Sequence, residues 1–212
     1  MEEILKKYPL LINHQNVSRE TLIDFEILIS LILKKNSQFN LISKNSEENI
    51  RERHIIDSAQ AIDFIDFNCS KCSDLGTGGG MPGIVLAIMV KNLKRSLKIN
   101  LHEKSFHKST FLREVSKKLN LNTEIIQKDV LSNKNMVSGS IIARGFKPLP
   151  VVIELIYENF LNYKNLILFM GKNGKEILDD TFKKWDFEYI KKKSITSSDS
   201  FLLNIKNIKK KN

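Results

Sequence analysis

The feature that most constrains the fold is a glycine-rich turn at residues 74–83, which read D-L-G-T-G-G-G-M-P-G. Four glycines fall within positions 76–80, after a short strand-like segment and before an apolar run over 84–90. Pro82 stands where that run begins, and proline is favoured at the first position of a helix. Glycine allows positive φ and a close approach of the backbone to a ligand. The pattern therefore predicts a strand, a tight turn and a helix N-terminus that bind a nucleotide-like cofactor, rather than a plain surface turn.

Strand-like and helix-like segments alternate after residue 70, which favours a doubly wound α/β sheet. Strands are predicted at 71–75, 97–103, 123–127, 140–143 and 165–170, and helices at 82–91, 106–120, 149–160 and 175–184. Two final strands, at 187–190 and 201–205, have no helix between them, so we expect an antiparallel pair at one edge. An NAD-binding Rossmann sheet has two βαβαβ halves. A terminal strand pair is instead typical of the Rossmann-like, class I methyltransferases that depend on S-adenosylmethionine (SAM).

The first 65 residues contain no glycine and show helical spacing at 19–35 and at about 47–64. We therefore predict an N-terminal helical extension over 1–65 and a SAM-dependent methyltransferase domain over 66–212. The tail over residues 206–212 is basic, and we expect it to be frayed.

Composition bears on partners and location. The 212 residues carry a net charge of +10, which favours a polyanion such as nucleic acid, although a lysine-rich compositional bias would give the same excess. Cys69 and Cys72 form a lone C-x-x-C, whereas a structural zinc site usually needs four ligands, so no metal is expected. The chain has no apolar run long enough for a bilayer and no signal peptide at its start. We expect a cytoplasmic protein.

Three candidate site residues end predicted strands. Glu103 ends the second strand, where an acid can accept hydrogen bonds from the ribose hydroxyls of a nucleoside. Asp129 follows the third strand and could face an adenine amino group, but capping of the next helix explains it equally well. Arg144 ends the fourth strand, and its fork of donors suits a carboxylate, a phosphate or the O6 and N7 atoms of guanine.

Three further candidates are weaker. Lys172 follows the fifth strand and is interpreted more simply as a solvated charge. His54 and Asp57 are three residues apart on the second helix and share a face. Such a pair could serve acid–base chemistry, or it could be a local hydrogen bond that orients the helix.

Several ordered motifs resemble the RsmG (GidB) family, the 16S ribosomal RNA guanine-N7 methyltransferases. The matching segments are N-L-I-S at 40–43, R-H-I-I-D-S at 53–58, the glycine-rich turn with its M-P-G ending, E-K-S-F-H-K-S-T-F-L-R-E-V at 103–115 and A-R-G-F at 143–146. The chain departs from the usual family pattern at Met81, which replaces phenylalanine, at Glu103, which replaces aspartate, and at Gly145, which replaces alanine.

The resemblance implies a fold, a cofactor and a set of contacts. The implied SAM-binding residues are Gly76, Gly78, Met81, Glu103, Lys104, Ser105, Asp129, Val130 and Arg144. Arg144 is also the candidate catalytic residue. The candidates for substrate binding are His54, Asp57 and Lys172. The implied reaction is methyl transfer to guanine N7 of 16S rRNA, either free or in the small ribosomal subunit, and we expect a monomer. The alternatives are a non-enzymatic RNA-binding or ribosome assembly protein on the same fold and, with less support, an NAD-dependent oxidoreductase.

Overall fold

The computed structural model describes residues 2–7 and 17–211, and its elements follow the predicted alternation. The strands are β1 Lys71–Leu75, β2 Lys98–His102, β3 Thr123–Ile126, β4 Met136–Val137, β5 Ser140–Arg144, β6 Phe160–Leu161, β7 Asn165–Met170, β8 Trp185–Lys193 and β9 Phe201–Lys210. The helices are α1 Glu2–Lys7, α2 Arg19–Asn36, α3 Asp57–Ala59, α4 Gly83–Asn92, α5 Phe106–Lys118, α6 Leu149–Asn159 and α7 Gly174–Thr181. Within these described ranges, none of the helices combines the length and the apolar character of a bilayer-spanning segment.

Seven strands form one sheet in the order β3-β2-β1-β5-β7-β9-β8. The first five are parallel, whereas β9 runs antiparallel to both β7 and β8. The predicted doubly wound sheet with a terminal antiparallel pair is thus confirmed. Because parallel strands share one direction, the carboxyl ends of β1, β2, β5 and β7 meet at the same edge, where ligands bind in folds of this kind.

Burial explains why the central elements form where the sequence predicts them. In β1 every residue after Lys71 is buried, as expected for a parallel strand covered on both faces. The next helix, α4, is buried from Gly83 to Val90 and packs beneath the sheet with α2 and α5. Helices α6 and α7 cover the opposite face. The glycine-rich turn is therefore held between a buried strand and a buried helix.

The N-terminal helices share the core of the sheet. Ser18 begins α2 by accepting a hydrogen bond from the Thr21 backbone N–H (3.2 Å), as a helix cap should. Phe25 and Ile32 of α2 lie in the same cluster as Ile84 of α4. The apolar core is continuous across residue 65, and the division into an extension and a domain at that point stays a prediction.

The second predicted helix differs from a regular α-helix. It consists of a π-helical segment Arg51–Ile56, the short α3, and a 3-10 segment Gln60–Phe64, and we call residues 51–64 the composite helix. The apolar spacing of the sequence indicates a helix but does not reveal changes in its winding. Segments of π-helix are frequent at functional sites.

The predicted frayed tail is wrong up to residue 210. Strand β9 extends to Lys210, which pairs with Trp185 of β8. Asn207 has a φ of 54°, and the register between the two strands shifts beside it. This irregularity returns Ile208 to the buried face, where it is 7% exposed. Apolar residues at 205 and 208 break strict alternation, which is why the sequence predicted this strand only as far as residue 205.

Candidate functional site

The glycine-rich turn joins β1 to α4 at the carboxyl edge of the sheet. Gly76, Gly78 and Gly80 all have positive φ, between 59° and 95°. A Cβ atom on Gly76 would also lie 2.3 Å from Cδ2 of Phe146, so the ring leaves no room for a side chain there. Glycine is therefore required at position 76 both for its conformation and for its space.

The buried side chain of Asp74 holds this turn in place through hydrogen bonds. Its Oδ2 atom accepts hydrogen bonds from the Gly83 backbone N–H (2.8 Å) and from the Thr77 hydroxyl. Burial raises the pKa of Asp74 to about 6, while these two hydrogen bonds act in the opposite direction. Asp74 was not predicted as a site residue. An acid two residues before the first glycine is the signal that could have found it.

Glu103 links the end of β2 to the turn. Its Oε2 atom accepts from the Gly78 backbone N–H (3.0 Å), and its Oε1 atom accepts from the Ser105 backbone N–H (2.8 Å). The side chain is buried, at 8% exposure. Each carboxylate oxygen has a second lone pair, so Glu103 can still accept hydrogen bonds from the hydroxyls of a ribose.

A cavity of about 240 Å³ opens beside Glu103, and we call it the Glu103 cavity. Its lining includes five of the predicted residues, Gly76, Glu103, Lys104, Asp129 and Val130, together with residues not predicted, among them His102 and Phe146. Gly78 reaches it through its hydrogen bond to Glu103. Acceptors for a ribose, glycine backbone and apolar side chains meet in this space, so the donor set fits a nucleoside such as that of SAM.

Two predicted residues have structural roles near this cavity. Asp129 lines it, and Met81 does not. Asp129 accepts a hydrogen bond from the Leu131 backbone N–H (3.1 Å), so the capping role is present alongside its place in the wall. Its other oxygen lies 3.6 Å from Lys104 Nζ. Met81 is buried at 8% exposure, with its methyl group packed towards Gly79. It stabilises the turn from within the core.

Arg144 turns towards the composite helix. Its Nη2 atom donates to Asp57 Oδ2 (2.9 Å) and to the Arg53 carbonyl (2.6 Å), and its Nη1 atom donates to the Ser58 hydroxyl (3.3 Å). Burial lowers the pKa of Arg144, while Asp57 and Asp74 oppose that shift. Arg144 does not line the Glu103 cavity. It lines a second cavity of about 190 Å³ with Asp57 and Phe169, which we call the Phe169 cavity.

Asp57 is the centre of the network that holds Arg144. Its Oδ1 atom accepts from Thr196 Oγ1 (2.7 Å), Gln60 Nε2 (2.8 Å) and Ser194 Oγ (3.3 Å). The network thus joins the composite helix to β5 and to the turn between β8 and β9. The sequence placed Asp57 on the right helix but did not predict its pairing with Arg144.

The side chains of the other two candidates for substrate binding make no hydrogen bond to those of Asp57 or Arg144 among the contacts described. The Nε2 atom of His54 hydrogen-bonds to the Ser46 hydroxyl (2.9 Å) rather than to Asp57. Burial and the nearby charges of Arg144 and Arg53 lower the pKa of His54 to about 4, so it is neutral at pH 7. Lys172 is exposed just beyond β7, next to Gly171 of the Phe169 cavity. Among the described residues, no three His, Cys, Asp or Glu side chains are grouped to hold a metal ion.

The strand order, the glycine turn and the acid at the end of β2 define a class I SAM-dependent methyltransferase fold. Among solved structures, a SAM-dependent methyltransferase from Aquifex aeolicus is similar with a TM-score of 0.55 at 14% identity, covering 76% of this chain and 94% of that one. The 16S rRNA methylase RmtB is similar with a TM-score of 0.53 at 11% identity, covering 90% and 75%. At these identities the likeness concerns the fold.

The particular family follows from sequence. The GidB family model, described as rRNA small subunit methyltransferase G, matches residues 21–205. The ribosomal RNA small subunit methyltransferase G of Pelagibacter ubique (strain HTCC1062) is 58% identical over 214 residues, covering 100% of both chains. That of Bartonella tribocorum is 37% identical, covering 92% of this chain and 91% of the relative. The chain belongs to this family, which confirms the resemblance found in the motifs.

Proposed function

We propose that this chain transfers the methyl group of SAM to N7 of a guanine in 16S rRNA. The observation that carries the proposal is the 58% identity over the full length of an rRNA small subunit methyltransferase G. The Glu103 cavity supports it, because a glycine turn and a buried acid stand where a class I methyltransferase holds its cofactor. The antiparallel β9 beside β7 argues against an NAD-dependent oxidoreductase.

The residues divide into three roles towards SAM. Glu103 accepts hydrogen bonds from the ribose, and the backbone of Gly76 and Gly78 lets the cofactor approach closely. Asp129 and Val130 border the adenine. Lys104, Ser105 and Met81 act by holding these groups in place, since Ser105 bonds Glu103, Lys104 pairs with Asp129 and Met81 packs under the turn.

The reaction needs no general base. Bound SAM supplies an electrophilic methyl group, and guanine N7 has a lone pair and no proton to remove. His54 is neutral at pH 7 and bonds to Ser46, so it stands outside the chemistry as a structural residue. What the chain must do is position the two reactants and exclude water. We assign Arg144 to the orientation of the guanine, because its guanidinium lines the Phe169 cavity and not the Glu103 cavity.

The target guanine must leave its stack to reach the site, as in other enzymes that modify bases. The net charge of +10 supports binding of the rRNA backbone, either in free 16S rRNA or in the small subunit. We further propose that the protein acts as a monomer in the cytoplasm, where ribosomes are assembled.

One experiment tests the function directly. The purified chain is incubated with methyl-labelled SAM and with small subunits or 16S rRNA that lack the modification. Cleavage specific for 7-methylguanosine then maps the product. We expect label at a single guanine. Binding of RNA without any binding of SAM would instead indicate a non-enzymatic assembly protein.

A further inference from the structure

The Phe169 cavity lies at the carboxyl ends of β5 and β7 and at the start of β9. Its volume of about 190 Å³ is below the roughly 300–1,000 Å³ of pockets that hold drug-sized ligands, so it suits one flat ring system. The two cavities are adjacent along the chain, since Arg144 lines this one and Phe146, two residues further on, lines the Glu103 cavity. Between them, a Cβ atom on Gly145 would meet no atom within 4 Å, so the space there is open.

The wall of this cavity is aromatic. Phe169 is only partly buried, although it sits on a central strand, and Phe201 lines the cavity from β9. The guanidinium carbon of Arg144 lies 5.6 Å from the centre of the Phe169 ring. Partly exposed aromatic rings beside cationic groups are the platforms on which proteins stack unpaired bases.

The polar side of the cavity presents the Arg144 guanidinium beside Asp57, Ser194 and Ser200. A guanidinium has five N–H groups. The bonds from Arg144 to Asp57, Arg53 and Ser58 use three of them, which leaves Nε and one Nη1 hydrogen among the contacts described. Asp57 accepts from Arg144 at Oδ2 and from Gln60, Ser194 and Thr196 at Oδ1, so it fixes the guanidinium at the edge of the cavity.

These donors match one purine better than the other. Guanine has the acceptor O6 beside N7, where adenine has an amino group. A donor aimed at O6 would leave the N7 lone pair free for the methyl group, but it would meet the adenine amino group donor to donor. We propose that the Phe169 cavity binds the target guanine of the reaction, with the base stacked on Phe169 and O6 held by Arg144. This rests on the function proposed above and names the subsite that selects the base.

The first test changes the aromatic ring of Phe169, on which the base is proposed to stack. Phe169→Leu removes the ring and keeps an apolar side chain, and Phe169→Tyr keeps the ring. The matched control is Phe182→Leu, because Phe182 stacks on Phe187 just before β8, at the opposite edge of the sheet. We expect kcat/KM for 16S rRNA to fall roughly 5- to 150-fold in Phe169→Leu, as loss of base–aromatic stacking predicts. The tyrosine variant and the control should stay near wild type, and the SAM affinity of all variants should not change.

The second test uses the wild-type chain, so it does not depend on the folding of a variant. Inosine keeps O6 and N7 but lacks the 2-amino group, and adenine lacks O6. We expect rRNA with inosine at the mapped position to be methylated within a fewfold of the natural rate, and rRNA with adenine there not to be methylated. Equal use of both bases, or an unchanged kcat/KM in Phe169→Leu, would overturn the subsite.

If wild type binds SAM but methylates no guanine, the proposed function fails instead. The subsite is then judged by titrating the SAM-bound protein with guanosine and adenosine 5′-monophosphates, where equal binding of the two overturns it.

Discussion

At the scale of single residues, the pairing of Asp57 with Arg144 sets the geometry of the Phe169 cavity. The two side chains are only 14% and 22% exposed, and their N–O distance is 2.9 Å. Asp57→Asn keeps the shape of the side chain but removes its charge. We expect the free energy of unfolding to fall by about 1–3 kcal/mol, the usual cost of a lost charged hydrogen bond. The single-turnover methylation rate should fall at least about tenfold, while the dissociation constant of SAM stays within about twofold.

Two variants control this result. Asp180→Asn removes an exposed carboxylate that pairs with Lys183 on the surface, so it should alter neither quantity. Asp57→Glu restores the charge and should recover part of the rate. If Asp57→Asn weakens SAM binding as much as it slows methylation, Asp57 positions the cofactor site and not Arg144.

His102 predicts a pH dependence of stability. It is buried at 3% exposure, neither ring nitrogen has a hydrogen-bond partner among the described residues, and burial lowers its pKa to about 4. The folded pKa lies below the unfolded value of about 6.5, so the stability it contributes is present above pH 6.5 and is lost as pH falls towards 4. Between pH 7 and 4.5, wild type should lose about 2–3 kcal/mol through this group, and His102→Leu should lose that much less.

The measurement is denaturant unfolding of both proteins at both pH values. Asp74 acts with the opposite sign, because its raised pKa of about 6 favours the folded state at low pH. That contribution is common to both proteins and cancels in the difference between them. Equal losses of stability in wild type and His102→Leu would show that His102 is not held neutral by the fold.

The sequence indicates the positions of two groups that follow strand ends. Glu103 was predicted to end the second strand and the glycine turn to follow the first, and the structure joins the two through the Gly78–Glu103 hydrogen bond. Their contacts with SAM stay predictions. The Asp57–Arg144 pair was not predictable, because it joins a helix and a strand whose relative placement depends on the packing of the whole core.

At the scale of elements, the turn between β1 and α4 depends on glycine at position 76. Gly76→Ala would place a side chain at a φ of 65° and bring its Cβ atom to 2.3 Å from Phe146. We expect the free energy of unfolding to fall by about 1–3 kcal/mol and SAM affinity to fall at least about tenfold, because the turn must shift. Gly171→Ala is the matched control, since its Cβ atom would meet nothing within 4 Å. Unaltered calorimetric binding of SAM by Gly76→Ala would rule out a role of this turn in binding.

The elements also show what apolar patterning can and cannot predict. β1 and β7 have the predicted bounds, 71–75 and 165–170, because strands buried on both faces are short apolar runs with clear ends. The sequence predicted the winding of the composite helix and the end of β9 less well. Changes of helical winding and an irregular strand register keep the same residues buried with a different spacing, so the sequence pattern alone does not reveal them.

At the scale of the whole molecule, the net charge of +10 predicts how RNA binding responds to salt. Binding of RNA phosphates by lysine and arginine releases counterions, so log K falls by about 0.7 for each phosphate contact per unit of log salt for single strands. With three or more contacts, the affinity for 16S rRNA should fall more than about tenfold between roughly 50 and 200 mM salt. SAM affinity, which depends on a buried acid and on backbone groups, should change much less over that range.

Filter binding for RNA and calorimetry for SAM measure the two responses. An RNA affinity as insensitive to salt as SAM affinity would show that the surplus charge reflects lysine-rich composition and not a nucleic-acid surface.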